Sequence, residues 1–267
     1  MRKKAAVIQT DPVPEKSVNV EKALKSVLSA AISEAELVVF PEMFVCPYNI
    51  QNFRESAVLS DGVEMNALRK ICRETGIFMV AGSVPELTGG SIYNSSFVID
   101  SGGKVVAVHR KAHLFDVSLP GFPVQESSVI IAGNKATFFK WGGVVCGVAV
   151  CYDIRFPEFM RLYQKAGVQI LFIPAAFTYQ TGKAHWHTLL KSRAIDYQFY
   201  TVGAAPAERD NDGYRTYGHS AVFSPSGELI VSAGAEPQIL IFEVDTEETA
   251  KIKEALPLSR HYRGDIY

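Results

Sequence analysis

Three residues able to do chemistry each end an apolar run. Val144-Val145-Cys146-Gly147-Val148-Ala149-Val150 leads into Cys151, Leu37-Val38-Val39-Phe40-Pro41 into Glu42, and Val105-Val106-Ala107-Val108-His109-Arg110 into Lys111. A β-branched run that stops at a polar residue reads as a buried strand delivering that residue to the rim of a sheet. If the three strands lie side by side, their ends bring a thiol, a carboxylate and an ammonium into one pocket. The thiolate is the nucleophilic form of cysteine, and a free thiol has a pKa of roughly 8.5. A base must therefore take its proton, or a cation must favour the anion. Glu42 suits the first task and Lys111 the second. Attack on a carbonyl builds an oxyanion, which Lys111 and the backbone N–H of Tyr152 could hold; one such donor is worth roughly 2.7–4 kcal/mol. Glu42 could then protonate a leaving amine and activate water. The products would be a carboxylate and ammonia or an amine.

Each residue alone also has a plain structural reading. A cysteine after a strand is commonly a small buried hydrophobe. Glu42 after Pro41 could be a solvated turn residue, and Lys111 one basic residue of a surface loop. A papain-like pair of Cys151 with His113 or His185 is a further alternative. A metal centre has little support, because His185 and His187 are two apart on a predicted helix and do not share a face. Neither HExxH nor a cysteine–histidine zinc spacing occurs, and no metal or cofactor is expected.

The elements needed to position these groups alternate along the whole chain. Amphipathic helices are predicted over 17–35, 63–75, 157–166, 185–199 and 247–255, with strands between them. Asp100-Ser101-Gly102-Gly103 and Ser224-Pro225-Ser226-Gly227 are hairpin turns. The stretch from Lys111 to about Gly133 is rich in proline and glycine and reads as a long functional loop. No linker interrupts the pattern, so residues 1–267 form one α/β domain with helices outside two stacked sheets.

Composition sets the remaining bounds. The 267 residues are 48% hydrophobic and 21% charged, an ordinary globular balance with ample length for a core. A net charge of -1 gives no electrostatic reason to expect nucleic acid or an anionic membrane as partner. Cys46, Cys72, Cys146 and Cys151 form no CxxC pair and read as reduced thiols in the cytoplasm. The start reads as a strand rather than a signal peptide, and no apolar stretch approaches the roughly 20 residues of a membrane span.

Pro41-Glu42-Met43-Phe44, Arg110-Lys111-Ala112-His113-Leu114-Phe115-Asp116 and Cys151-Tyr152-Asp153-Ile154-Arg155-Phe156-Pro157-Glu158 together resemble the nitrilase superfamily of carbon–nitrogen hydrolases. The order Glu, Lys, Cys matches, as do His185-Trp186, Ser192 to Gln198 and Gly218 to Glu228. The resemblance implies a four-layer αββα sandwich, with Glu42 as base, Lys111 as the cation at the oxyanion and Cys151 as nucleophile. It also implies a second glutamate, Glu126, that keeps Lys111 charged and orients the substrate amide. Family members usually form homodimers or larger homo-oligomers, and the tail of about residues 257–267 would pack on a partner subunit.

Within the superfamily the chain looks most like the omega-amidase branch, on Arg110–Asp116, Pro120-Gly121, Gln125-Glu126-Ser127 and Thr181 to Trp186. That implies hydrolysis of small dicarboxylic acid monoamides such as 2-oxoglutaramate, with water as co-substrate and a thioester intermediate. The substrate's far carboxylate would need a cation, for which Arg155, Lys183 and Arg193 are candidates. Arg155 could instead brace the turn after Cys151 by pairing with Asp153 or Glu158. Phe177, in Pro174-Ala175-Ala176-Phe177, lies where substrate should sit. Ala175 stands where glycine is expected, and Ser118-Leu119 lacks the expected acidic neighbourhood. Alternative substrates are deaminated glutathione, an N-carbamoyl compound or a nitrile. A catalytically silent assembly protein on the same scaffold is the non-enzyme alternative.

Overall fold

A computed structural model describes residues 1–119, 122–211 and 213–266. Pro120 and Gly121, two residues of the omega-amidase resemblance, lie outside the described residues, as does Tyr267 of the tail. In chain order the strands and helices are β1 (Arg2–Gln9), α1 (Lys16–Ile32), β2 (Leu37–Val39), α2 (Ile50–Glu55), α3 (Val63–Thr75), β3 (Phe78–Thr88), β4 (Ser91–Ile99) and β5 (Val105–Arg110). There follow β6 (Asp116–Leu119), β7 (Phe122–Gln125), β8 (Thr137–Trp141), β9 (Val144–Val148), α4 (Pro157–Lys165), β10 (Ile170–Pro174), α5 (Tyr179–Tyr197) and β11 (Tyr200–Ala204). The last are β12 (Asp210–Asn211), β13 (Tyr214–Arg215), β14 (Ala221–Phe223), β15 (Leu229–Ser232), β16 (Gln238–Asp245), α6 (Thr246–Ala255) and α7 (Leu258–His261).

Two six-stranded sheets form the centre, ordered β16-β1-β2-β3-β4-β5 and β15-β14-β11-β10-β9-β8. β1 shows how its sequence produces the layering. Ala5 and Val7 join the apolar layer between the sheets, while Ala6 and Ile8 join the layer under α1. A strand covered on both faces needs apolar residues at successive positions, which is why it reads as a continuous run. Val39, Val80 and Val98 of one sheet meet Val148, Phe172 and Val202 of the other in the middle layer. Each large apolar side chain buried this way contributes roughly 1.5–3 kcal/mol. α1 covers its sheet through Val20, Ala23, Val27 and Ala30. Leu28 lies off that stripe and is exposed. The result is the expected αββα order.

The expected side-by-side arrangement of the three site-bearing strands is corrected. β2 and β5 belong to one sheet, with β3 and β4 between them, and β9 to the other. Their ends converge across the sandwich. α5 also starts earlier than the helical pattern suggested, at Tyr179, with Thr178 capping the N–H of Thr181 at 3.2 Å. Gly182 obscured that start. A Cβ there would lie 2.4 Å from the Tyr217 side chain, so close packing accounts for the glycine. The proline- and glycine-rich stretch contains the β6–β7 hairpin. In the tail, Tyr262 packs on α4 of its own chain, with the Arg161 guanidinium 3.1 Å from its ring centre.

Candidate active site

Glu42 follows β2 through a turn held by β3: Ser83 N–H donates to the Pro41 carbonyl at 3.1 Å and Met43 N–H to Ser83 Oγ at 3.2 Å. Gly82 permits this approach, since a Cβ on it would sit 2.0 Å from the Pro41 carbonyl oxygen. Lys111 continues β5, its N–H donating to the Asn94 carbonyl at 2.8 Å. Glu126 opens a single helical turn just after β7. Cys151 opens another, Cys151–Arg155, beyond β9, with φ +48 in the left-handed region. A non-glycine residue there is uncommon, and the bend turns the sulfur out of the strand line.

Lys111 Nζ donates to Glu42 Oε1 at 2.9 Å and to Glu126 Oε2 at 2.7 Å, with all three side chains shut off from solvent. Asn94 Nδ2 donates to the same carboxylates, at 2.8 Å to Glu42 Oε1 and 3.0 Å to Glu126 Oε1. Phe115 N–H adds a bond of 2.7 Å to Glu126 Oε2. Glu126 is thus engaged on both oxygens, whereas Glu42 Oε2 meets no N–H or O–H donor among the described residues, and the neighbour left to that carboxylate is the Cys151 thiol. One ammonium between two buried carboxylates leaves a net negative centre. Burial, reinforced by the Glu126 charge, pushes the Glu42 carboxyl above its ordinary range despite Lys111. Burial disfavours the Lys111 ammonium, but Glu126 and Glu42 outweigh it and hold its pKa well above that of a free lysine.

Cys151 is 6% exposed. Burial, then the Glu42 charge, pushes its thiol well up, against the opposing pull of Lys111 and a backbone hydrogen bond from Ala176. The resting pair is therefore a protonated thiol beside a carboxylate of raised proton affinity. Cys151 lines a small open pocket whose wall includes Phe115, Tyr152, Arg155, Phe177 and Tyr214. Proton transfer from sulfur to Glu42 would create the nucleophile on demand, next to a fixed cation.

The structure gathers Glu42, Lys111, Glu126 and Cys151 at one centre and places Tyr152, Phe177 and Arg155 on the cavity wall. It does not bring Lys183 there. That side chain is exposed, with Nζ 6.0 Å from the Tyr179 ring centre. The bracing reading of Arg155 is also corrected. Asp153 is occupied by His109 and His113, and no ion pair joins Arg155 to Asp153 or Glu158 among the described residues. Arg193 does the bracing, donating from Nε to the Ile154 carbonyl at 2.9 Å and from Nη2 to the Arg155 carbonyl at 3.3 Å. The Arg155 guanidinium instead lies 5.0 Å from the Phe177 ring centre, within 3.4 Å of His185 Nδ1. Burial lowers its pKa, offset only in part by the neighbouring Cys151 and Tyr152.

Neither histidine offered as a papain-like base lines the cavity: His113 Nδ1 is bound to Asp153 at 2.7 Å and His185 lies against Arg155. Burial pushes the Cys46 thiol up to about 12, well away from nucleophilic use. Among the described residues no cluster of three or more His, Cys, Asp or Glu could hold a metal. No helix of the described residues is long and apolar enough to cross a membrane. Ala175 is fully buried, its N–H on the Ala204 carbonyl at 2.8 Å, and Ala176 rather than Ala175 lines the cavity. Asn94 escaped sequence reasoning. Its signal was there: Asn94-Ser95-Ser96 are polar residues at fully buried strand positions, and buried polar groups need specific partners.

Known proteins resemble the chain over nearly its full length. The chain is 39% identical over 255 residues to omega-amidase NIT2 of Xenopus tropicalis, covering 95% of this chain and 92% of that protein. It is 37% identical over 263 residues to omega-amidase NIT2 of Homo sapiens, covering 98% and 95%. The crystal structure of Saccharomyces cerevisiae Nit3, a nitrilase-superfamily member, superposes with a TM-score of 0.90 at 33% identity, covering 98% and 97%. Residues 4–254 match the carbon-nitrogen hydrolase family. With the αββα sandwich and that match over almost every residue, the chain belongs to the carbon–nitrogen hydrolase family.

Proposed function

We propose that this protein hydrolyses the terminal amide of a small amide bearing a second carboxylate, such as 2-oxoglutaramate, through a thioester on Cys151. The observation that carries the reading is the Lys111 ammonium locked between Glu42 and Glu126, with the Glu42 carboxylate beside the Cys151 thiol. Glu42 takes the thiol proton as sulfur bonds to the amide carbon. The oxyanion is stabilised by Lys111 and the Tyr152 N–H. The C–N bond then breaks, and Glu42 returns the proton so that ammonia leaves. Water attacks the thioester with Glu42 again as base; the C–S bond breaks and the sulfur recovers its proton. Glu126 holds Lys111 charged and in place. Arg155 is the wall cation that meets the far carboxylate, and Phe177 and Tyr152 shape the space between.

The same reading makes the protein a homodimer in the cytoplasm. Leu162 of α4 and Ile195 of α5 are exposed apolar residues that a second copy could cover, and all four cysteines are free, which fits a reducing compartment. The test is ammonia release from a panel of primary amides with and without a distal carboxylate, alongside mass spectrometry of Cys151 during slow turnover. Turnover favouring the carboxylate-bearing amides, with an acyl mass on Cys151, is expected. Absence of ammonia from every amide, or full activity in Cys151→Ala, overturns the proposal.

A further inference from the structure

Lys111 and Cys151 must keep a fixed separation, yet they hang from different sheets. Lys111 is secured within its own side of the sandwich. Its backbone bonds to Asn94 and Gly133, both at 2.8 Å, and its ammonium to Glu42 and Glu126. None of these partners belongs to the turn 150–156. Among the described residues, every hydrogen bond between residues 109–126 and that turn ends on one side chain, the fully buried carboxylate of Asp153. Its Oδ1 accepts from Ala112 N–H at 3.2 Å, His113 N–H at 2.9 Å and His113 Nδ1 at 2.7 Å. Its Oδ2 accepts from His109 Nε2 at 3.0 Å and from Val150 N–H, just before the nucleophile, at 2.9 Å.

We infer that Asp153 is a positioning residue: by clamping the segment that follows Lys111 onto the turn that carries Cys151, it sets the ammonium–sulfur geometry without touching substrate. Five donors converge on two oxygens, a demand that only an ionised carboxylate meets. Burial opposes that charge, but the bonds from His109 and His113 prevail and hold the Asp153 carboxyl below the ordinary aspartate range. An asparagine would keep one accepting oxygen and turn an NH₂ toward two or three N–H groups. The cavity wall does not include Asp153, so its effect must pass through Lys111 and Cys151.

The inference rests on the cysteine-hydrolase reading of the site, and the test separates the two. Full-length wild type, Asp153→Asn and His113→Phe are compared in three measurements: kcat and KM for ammonia release from 2-oxoglutaramate, the thermal midpoint, and the pH midpoint of Cys151 alkylation by iodoacetamide. In Asp153→Asn, kcat should fall about 100-fold, as for a misplacement near 1 Å, with KM changed less than about 3-fold. The alkylation midpoint should rise, because a displaced Lys111 favours the thiolate less. His113→Phe keeps the stack on Phe156, now 3.8 Å between ring centres, but deletes the Nδ1 bond. It should cost about 2–10-fold in kcat, the worth of one hydrogen bond, at a nearly unchanged thermal midpoint. An unchanged kcat, a loss carried by KM, or a downward alkylation shift overturns the inference. The downward shift would mean that Asp153 acts as a bystander charge on sulfur. Should Asp153→Asn fail to fold, His113→Phe decides by the same readings. Should wild type release no ammonia, the functional reading falls while the alkylation midpoints still decide the role of Asp153.

Discussion

Replacing Lys111 with methionine tests the charge balance of the site directly. The side chain is fully buried between Glu42 and Glu126 at 2.9 and 2.7 Å. Methionine keeps most of the volume but leaves two carboxylates facing one another across Asn94. Breaking a buried pair by removing one partner costs about 3–5 kcal/mol. At about 2 °C per kcal/mol for a chain of this size, the thermal midpoint should drop by roughly 6–10 °C. The cost must also depend on pH. Two adjacent buried carboxylates cannot both ionise cheaply, so the folded variant retains one proton that its unfolded chain releases. A carboxyl whose folded pKa is raised destabilises the fold progressively above its unfolded pKa, at about 1.4 kcal/mol per pH unit. Between pH 5.5 and 7.5 the gap to wild type should therefore widen, by at most about 2–3 kcal/mol because Glu42 is already raised in the wild type. Denaturant unfolding at both pH values measures it, and ammonia release should fall about 10²–10³-fold for loss of the oxyanion cation. A gap independent of pH, or a variant as active as wild type, would refute the account of Lys111 as a buried counter-ion to two charges.

Glu42→Gln should lower kcat by about 10²–10⁴, measured as ammonia release, whereas a histidine-based mechanism would leave turnover nearly intact. Activity should be lost on acidification at a pH above the ordinary carboxylate range, because the base must be ionised and burial raises the Glu42 pKa; a kcat/KM profile flat down to pH 4 contradicts this. Arg155→Met should reduce kcat/KM for 2-oxoglutaramate by about 10–100-fold, the worth of a charged hydrogen bond, while leaving amides without a distal carboxylate nearly unaffected; equal losses on both would remove Arg155 from the role of anchor. Gly82→Ala should destabilise by about 1–3 kcal/mol and lower kcat together, since its Cβ would meet the Pro41 carbonyl at 2.0 Å and displace the turn that holds Glu42. A denaturation curve and a kinetic assay on the same preparation check both parts.

The groups at the ends of apolar strands were legible because a buried strand announces itself in one short stretch. Val144–Val150, Leu37–Phe40 and Val105–Val108 marked where Cys151, Glu42 and Lys111 emerge. Which sheet each strand joins was not legible, since pairing depends on partners tens of residues away. Asn94 and Asp153 were hidden for a related reason: their importance lies in partners from other elements, such as Glu42 and Glu126 for the first and His109, Ala112 and His113 for the second. Arg155 and Arg193 look interchangeable as nearby cations, and only the path of α5 shows that Arg193 reaches the backbone of the turn. Lys183 illustrates the opposite error, a cation close in sequence to the site region whose helix position turns it to solvent.

The division of the site between two sheets has a consequence for how the chain matures. Glu42, Asn94 and Lys111 belong to one half of the sandwich and Cys151 to the other, so neither half can carry out acyl chemistry while they remain apart. During refolding, recovery of turnover should follow the pairing of strands and coincide with exclusion of water from the layer between the sheets. Ammonia release thus doubles as a clock for the last assembly step of the molecule.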